Sequence, residues 1–208
     1  MGLSERYGFR SAFYFIADSS DPETDCTYRL EHPFVRRLIR RVSERGHEIG
    51  LHPSYFTYRD PGRVQREFAA LVDAVRAEGV VQQRWGGRQH FLRWENPVTW
   101  QAWEDAGLAY DCTLGFPDAP GFRCGTCRPY RPFNLLTRRS LRLVERPMTV
   151  MEAGALRGRP DRAVATVLDL DEQVRRFGGD TVILWHNTHL LTRAHRRVYA
   201  DIVSGLAS

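Results

Sequence analysis

An α/β fold built on a parallel sheet is the class that this 208-residue sequence predicts. Three observations point to it. Strand-like and helix-like patterns alternate along the chain, as they do in successive βα units. One such unit is legible from Pro33 to His52. Apolar Phe34, Val35, Leu38, Ile39 and Val42 recur at helical spacing, Gly46 stands where a helix cap belongs, and Glu48–Leu51 is too short for a second helix. Third, His52, Arg88, Asp111 and His186 each fall at or just past the end of a β-like segment. A single parallel sheet would gather all four on one face.

The elements follow in order. Residues 10–17 form an apolar and aromatic run, the pattern of a buried strand, and 18–27 are a loop rich in Ser, Asp and Pro. After the helix at 31–45 and the strand at Glu48–Leu51 comes a polar loop that closes in Asp60-Pro61-Gly62. Val64, Phe68, Leu71, Val72 and Val75 mark a second amphipathic helix, stopped by Gly79. A short segment follows at 84–91, then a helix from Pro97 to Gly107 and a strand end at 108–111. The long loop at 113–134 is crowded with Gly, Pro and aromatic residues, and loops of that length inside a domain are usually functional. Residues 141–144 and 149–151 are short strands, 164–177 a helix, 181–185 the clearest β run, and 190–206 a final amphipathic helix. No repeat, linker or low-complexity tract interrupts the pattern, so 1–208 reads as one domain.

Composition bounds the function classes. Hydrophobic and charged fractions of 42% and 26% are those of a globular protein. No run approaches the roughly 20 apolar residues that cross a bilayer, so no membrane segment is expected. Residues 1–9 carry no apolar signal-peptide core, and the chain as it stands reads as cytoplasmic. All basic residues are arginine, and they account for the net charge of +5. They are scattered (Arg36, Arg37, Arg40 and Arg41; Arg138 and Arg139; Arg193, Arg196 and Arg197), which favours solvated helix faces over a nucleic-acid surface. The pair Cys124 and Cys127 has no second ligand pair at zinc-site spacing and opens no helix as a redox pair does, so the four cysteines read as incidental.

The candidate residues leave alternatives open. His52 is a metal ligand, a base or a hydrogen-bonded structural histidine. His186 ends an apolar strand beside Asn187, a place suited to a catalytic acid. Arg88 and Asp111 suggest a buried arginine–carboxylate pair that positions a catalytic group or serves as a structural ion pair. His90 and His189 lie near these without an obvious role of their own.

The order of these motifs resembles the polysaccharide deacetylases of carbohydrate esterase family four, the NodB-homology fold. The resemblance covers residues 10–199. It rests on Gly46-His47-Glu48-Ile49-Gly50-Leu51-His52, on Arg88 within Gly87-Arg88-Gln89-His90-Phe91, on Trp103, Gly107, Tyr110 and Asp111, and on Leu184-Trp185-His186. The stretches Tyr110 to Phe116, Gly121-Phe122-Arg123 and Leu184 to Thr188 look like an uncharacterised bacterial branch of it. The resemblance implies a distorted (β/α)7 barrel and hydrolytic removal of N- or O-acetyl groups from a polysaccharide or oligosaccharide. It also implies a divalent metal, with zinc the first choice, that activates water. By position His52 is the metal ligand, His186 the general acid, and Arg88 and Asp111 belong to the catalytic group. His90, Trp185, Asn187, Phe116 and Arg123 are the substrate contacts.

Two departures stand out. The family's second metal histidine, four residues after the first, is Phe56 here, and the Asp motif of its first strand has no counterpart in residues 1–9. The expectation is a barrel incomplete at its N-terminus, with Asp18 the nearest substitute. Alongside the enzyme stands the alternative of an inactive carbohydrate-binding domain of the same fold, its exposed aromatics (Phe116, Phe122, Tyr130, Phe133) stacking on sugars.

Overall fold

A computed structural model describes residues 1–157 and 160–208. In chain order its elements are α1 (Gly2–Arg6), β1 (Ala12–Phe15), α2 (Pro33–Glu44), β2 (Glu48–Leu51), α3 (Pro61–Ala77), β3 (Gly86–Gly87), α4 (Val98–Asp105) and β4 (Tyr110–Asp111). Then come β5 (Phe133–Asn134), β6 (Arg139–Ser140), β7 (Val144–Glu145), β8 (Val150–Met151), α5 (Glu152–Leu156), α6 (Ala163–Arg176), β9 (Ile183–Leu184) and α7 (Arg193–Leu206). Short 3-10 turns include His90–Leu92 and Asn187–Leu190. They fall into two compact units: one of residues 10–113 and 130–145, the other of 2–9, 114–129 and 146–208.

The first unit is a five-stranded parallel sheet in the order β1-β2-β3-β4-β7. The helix α2 starts as its sequence dictates. Pro33 fills the first turn, and the His32 ring accepts a hydrogen bond from Phe34 N. Its core stripe is Val35, Ile39 and Val42, while Phe34, counted in the apolar pattern, is 59% exposed. Gly46 has φ +72°, the left-handed cap that lets the chain turn into β2. The α3 helix buries Val64, Phe68, Leu71 and Val75, and α4 buries Trp100 and Trp103. Ile39, Ile49, Leu51 and Leu71 are completely buried, and each such side chain contributes about 1.5–3 kcal/mol.

Glycines set the spacing of this sheet. In register, Tyr14 lies opposite Gly50 and Tyr110 opposite Gly86. A Cβ on Gly50 would stand 2.5 Å from the Tyr14 ring, and one on Gly86 2.3 Å from the Tyr110 ring. The two tyrosines therefore lie flat across neighbouring strands, in space that only glycine leaves. Their hydroxyls meet at 3.4 Å.

The second unit carries the two-stranded parallel sheet of β8 and β9. Its core is Val150, Ala155, Ala163, Val167 and Ile202, with Ile183, Trp185 and Val198 packed against it. The pairing of α6 with α7 covers this cluster.

Several expectations are corrected. The run at 181–185 forms only the two-residue strand β9, because its partner β8 offers only Val150 and Met151. His186 therefore follows a strand that is not part of the five-stranded sheet, and the four polar strand ends do not share one sheet. The strand expected at 141–144 is shortened and shifted to β7 at Val144–Glu145, and a hairpin, β5 against β6, precedes it. Among the described residues no helix is long and apolar enough to cross a membrane.

Candidate functional site

In the first unit the parallel ladder continues one residue past the strands. His52 N donates to Phe15 O (2.9 Å), Arg88 N to Leu51 O (3.0 Å) and Cys112 N to Gly87 O (3.0 Å). Alternation along the strands puts His52, Arg88, Cys112 and Tyr14 on one face, and Asp111 with Glu145 on the other. The His52 ring is aimed by its Nδ1, 2.6 Å from Arg88 O, an acceptor that makes Nδ1 the donor. The next turn is fixed as well. Buried Glu67 accepts from Ser54 N at 2.8 Å and from the Ser54 hydroxyl, and burial raises its pKa.

Buried Arg88 donates from Nε to Cys112 O at 2.8 Å, with its guanidinium carbon 5.4 Å from the centre of the Tyr14 ring. Burial pushes the Cys112 thiol up to about 11, so it stays neutral and hydrogen-bonds with the Tyr14 hydroxyl at 3.1 Å.

Asp111 and Glu145 are register partners and are fully buried. Asp111 Oδ1 accepts from Thr113 N (3.0 Å) and Thr113 Oγ1 (2.5 Å), while its Oδ2 receives no N–H or hydroxyl donor. Its other neighbour is the Glu145 carboxyl, itself held by Trp100 Nε1 at 2.9 Å, and a hydrogen bond between two acids requires a proton on one of them. Burial, opposed by Thr113, Glu145 and the Arg88 charge, pushes Asp111 up to about 6. The sign follows. With an unfolded value of 3.8, the native state holds the extra proton between pH about 4 and about 6, so stability is lost as pH rises through that window. Asp111→Asn is therefore expected to gain stability relative to the parent as pH rises from 4 to 6, read from unfolding midpoints. Parallel profiles for the two proteins would rule out a raised Asp111.

Asp25, which gave no signal beyond its place in a polar loop, organises the ground around His90. Its Oδ2 accepts from Ser20 N (2.7 Å), Ser20 Oγ (3.0 Å) and Asp21 N (2.8 Å). Its Oδ1 accepts from Tyr55 N and His90 Nδ1, both at 2.8 Å. Burial alone would raise this carboxyl, but the hydrogen bonds from Ser20, Asp21, His90 and Tyr55 hold it below the usual value. His90 in turn stands edge-on to His52, with ring centres 4.8 Å apart. Asp18 is 61% exposed and pairs with Arg63 at 3.3 Å.

A catalytic zinc takes three protein ligands. Here the His52 Nδ1 bond to a backbone carbonyl leaves Nε2 as a single donor, and Phe56 occupies the second ligand position. Among the described residues no three His, Cys, Asp or Glu side chains are grouped to hold a metal. The residues present do not fit the divalent metal that the motifs imply, and no step below runs through one.

The second unit holds the other expected residues. His186 lies two residues past the end of β9, and Glu152 begins α5 directly after β8, so the paired strands bring them together. Glu152 is fully buried, with Oε1 2.5 Å from His186 Nδ1 and 3.8 Å from His189 Nε2. Among the described residues, its Oε2 and His189 Nδ1 are buried without a hydrogen-bond partner. A carboxylate accepts, so the neutral His186 ring carries its proton on Nδ1 and presents the Nε2 lone pair. The side chain is 41% exposed. Trp185 packs in the core with its ring 4.9 Å from Tyr199, Asn187 is exposed, and Phe116 is 41% exposed. Arg123 Nη1 donates to Gly115 O at 3.2 Å. Glu152 escaped the sequence reading, although an acid directly after a β-like segment was its available signal.

No protein-family model matches the chain, and no curated protein matches it. Its fold is similar to the crystal structure of a protein from Mycobacterium smegmatis assigned as a polysaccharide deacetylase, with a TM-score of 0.69 and 16% identity. The match covers 100% of this chain and 68% of that one. The fold class is therefore α/β with a parallel sheet, similar to that of the structure matched, and at this identity the likeness speaks for the fold alone.

Proposed function

We propose that the protein is a carbohydrate deacetylase-like hydrolase that removes an acetyl group from a glycan. The observation that carries the proposal is the His186–Glu152 pair, a partly exposed imidazole oriented by a fully buried carboxylate. Such a pair accounts for both proton transfers of a hydrolysis. His186 Nε2 takes a proton from water as the water oxygen bonds to the acetyl carbon, and Glu152 stabilises the imidazolium. The same nitrogen then returns the proton to the leaving amine or alkoxide as the C–N or C–O bond breaks, and acetate departs. Asn187 and Phe116 are the glycan contacts in this reading, and Arg88, through its carbonyl, positions His52.

Acetate release from a chitooligosaccharide and from acetylated xylan tests the proposal. Release that persists in EDTA is the expected result. The lack of a three-ligand cluster among the described residues favours a second reading, an inactive glycan-binding domain. Saccharide binding with no acetate release would select it.

A further inference from the structure

The first unit carries a group of rings that the hydrolysis does not use. Tyr55 stands edge-on to Phe56 (centres 5.0 Å apart) and to Phe91 (5.4 Å). Both phenylalanines face solvent, 52% and 63% exposed. Phe91 and Leu92 are held at φ +56° and +53°, the left-handed region that side chains other than glycine seldom adopt. Strained backbone of this kind clusters at ligand contacts and active sites, and here it accompanies an apolar ring turned outward.

Beside these rings lies Arg93. Its guanidinium carbon is 3.9 Å from the centre of the Tyr55 ring and 4.1 Å from that of Tyr58, with Phe56 at 5.3 Å. Among the described residues the guanidinium has neither an ion-pair nor a hydrogen-bond partner, and its Nη1 is buried unpaired. The nearby acid Glu95 is bound to Arg59. Aromatic faces attract a cation but do not neutralise it. The guanidinium N–H groups form a planar fork, the shape that a carboxylate matches.

We infer that Phe56, Phe91 and Arg93 form a binding site for an acidic sugar, a pyranose ring bearing a carboxylate. The apolar C–H face of the ring rests on the exposed phenylalanines, and the carboxylate reaches the Arg93 fork. The inference rests on the glycan-directed reading and names a substrate class for it.

The test is calorimetric titration of the full chain with tetragalacturonate and with its methyl ester, which keeps the rings and removes the charge. Tetragalacturonate is expected to bind at least tenfold tighter. Phe91→Ala, at an exposed position that leaves the core intact, should weaken both ligands about tenfold, and Arg93→Gln should erase the difference between them. Equal affinity for the two ligands, no binding of either, an unaffected Phe91→Ala, or full competition by acetate alone would each overturn the inference. Acetate release from neutral chitooligosaccharides reads the hydrolase proposal separately. A chain that deacetylates those yet ignores tetragalacturonate loses this inference only.

Discussion

Gly87→Ala is expected to abolish folding of the first unit. Gly87 sits in β3 between β2 and β4, paired with Leu51 on one side and Asp111 on the other. A Cβ there would lie 1.8 Å from Leu51 O and 2.8 Å from Leu51 C. Both are backbone atoms in the centre of a sheet, so no rotamer change relieves the overlap. Relief requires β2 and β3 to separate, which breaks the ladder that places His52 and Arg88. The expected loss exceeds about 4 kcal/mol, in the range that marks a lost core rather than an adjusted one. The readout is the yield of soluble protein and a cooperative unfolding transition. The comparison is Gly62→Ala in the first turn of α3, where the nearest atoms would be the flexible end of Arg66 at 3.3 Å and Asp60 Oδ1 at 3.5 Å. That variant should stay within about 1 kcal/mol of the parent. A folded Gly87→Ala protein with parental stability would mean that the strand spacing is wrong.

Arg88→Met comes next in expected size. The arginine is 5% exposed and its charge opposes the upward pKa shift of buried Asp111, so its removal takes that field away and leaves Cys112 O without its donor. Leaving a buried acceptor without its donor costs about 1–3 kcal/mol, and the lost field at buried Asp111 adds to it. The sign of the pH dependence follows from Asp111. At pH 5 its proton is largely in place and little negative charge is stranded, whereas at pH 8 the proton is lost from a group that titrates near 6. Urea unfolding should therefore show a larger loss at pH 8 than at pH 5. A loss below about 1 kcal/mol, or the same loss at both pH values, would remove Arg88 from this network.

Much of the scaffold was legible in the sequence where local chemistry decides it. The cap at Gly46, the proline at 33 and the apolar stripes of α2 and α3 follow from steric and periodic rules that need no tertiary partner, whereas Pro61, read as the end of a loop, opens α3. Glu48–Leu51 came out with its bounds intact for the same reason: a capped helix before it and a histidine-proline pair after it leave little choice. The run at 181–185 was harder. Its composition is as strand-like as any in the chain, but a strand exists only as long as its neighbour, and β8 is two residues long.

The polar partners show the same divide. His52, Arg88, Asp111 and His186 could be picked out as polar groups at the ends of apolar runs. Their partners could not, because Asp25 meets His90 across 65 residues and Glu152 meets His186 across 34. A single sequence carries no record of such pairings. Arg88 shows a subtler limit. Residue type suggested a direct pair with Asp111, but strand alternation sends the two to opposite faces, and the Arg88 hydrogen bond goes to the Cys112 carbonyl.

The measurement that bears most directly on the proposed hydrolase is the rate of acetate release by Glu152→Gln beside the parent chain, with saccharide affinity measured in both. Loss of the carboxylate removes the group that stabilises the His186 imidazolium, while the exposed surface that meets a glycan is untouched. The expected result is a fall of about 100-fold in rate with affinity unchanged. Parental turnover in Glu152→Gln, or no acetate from either protein, would contradict it.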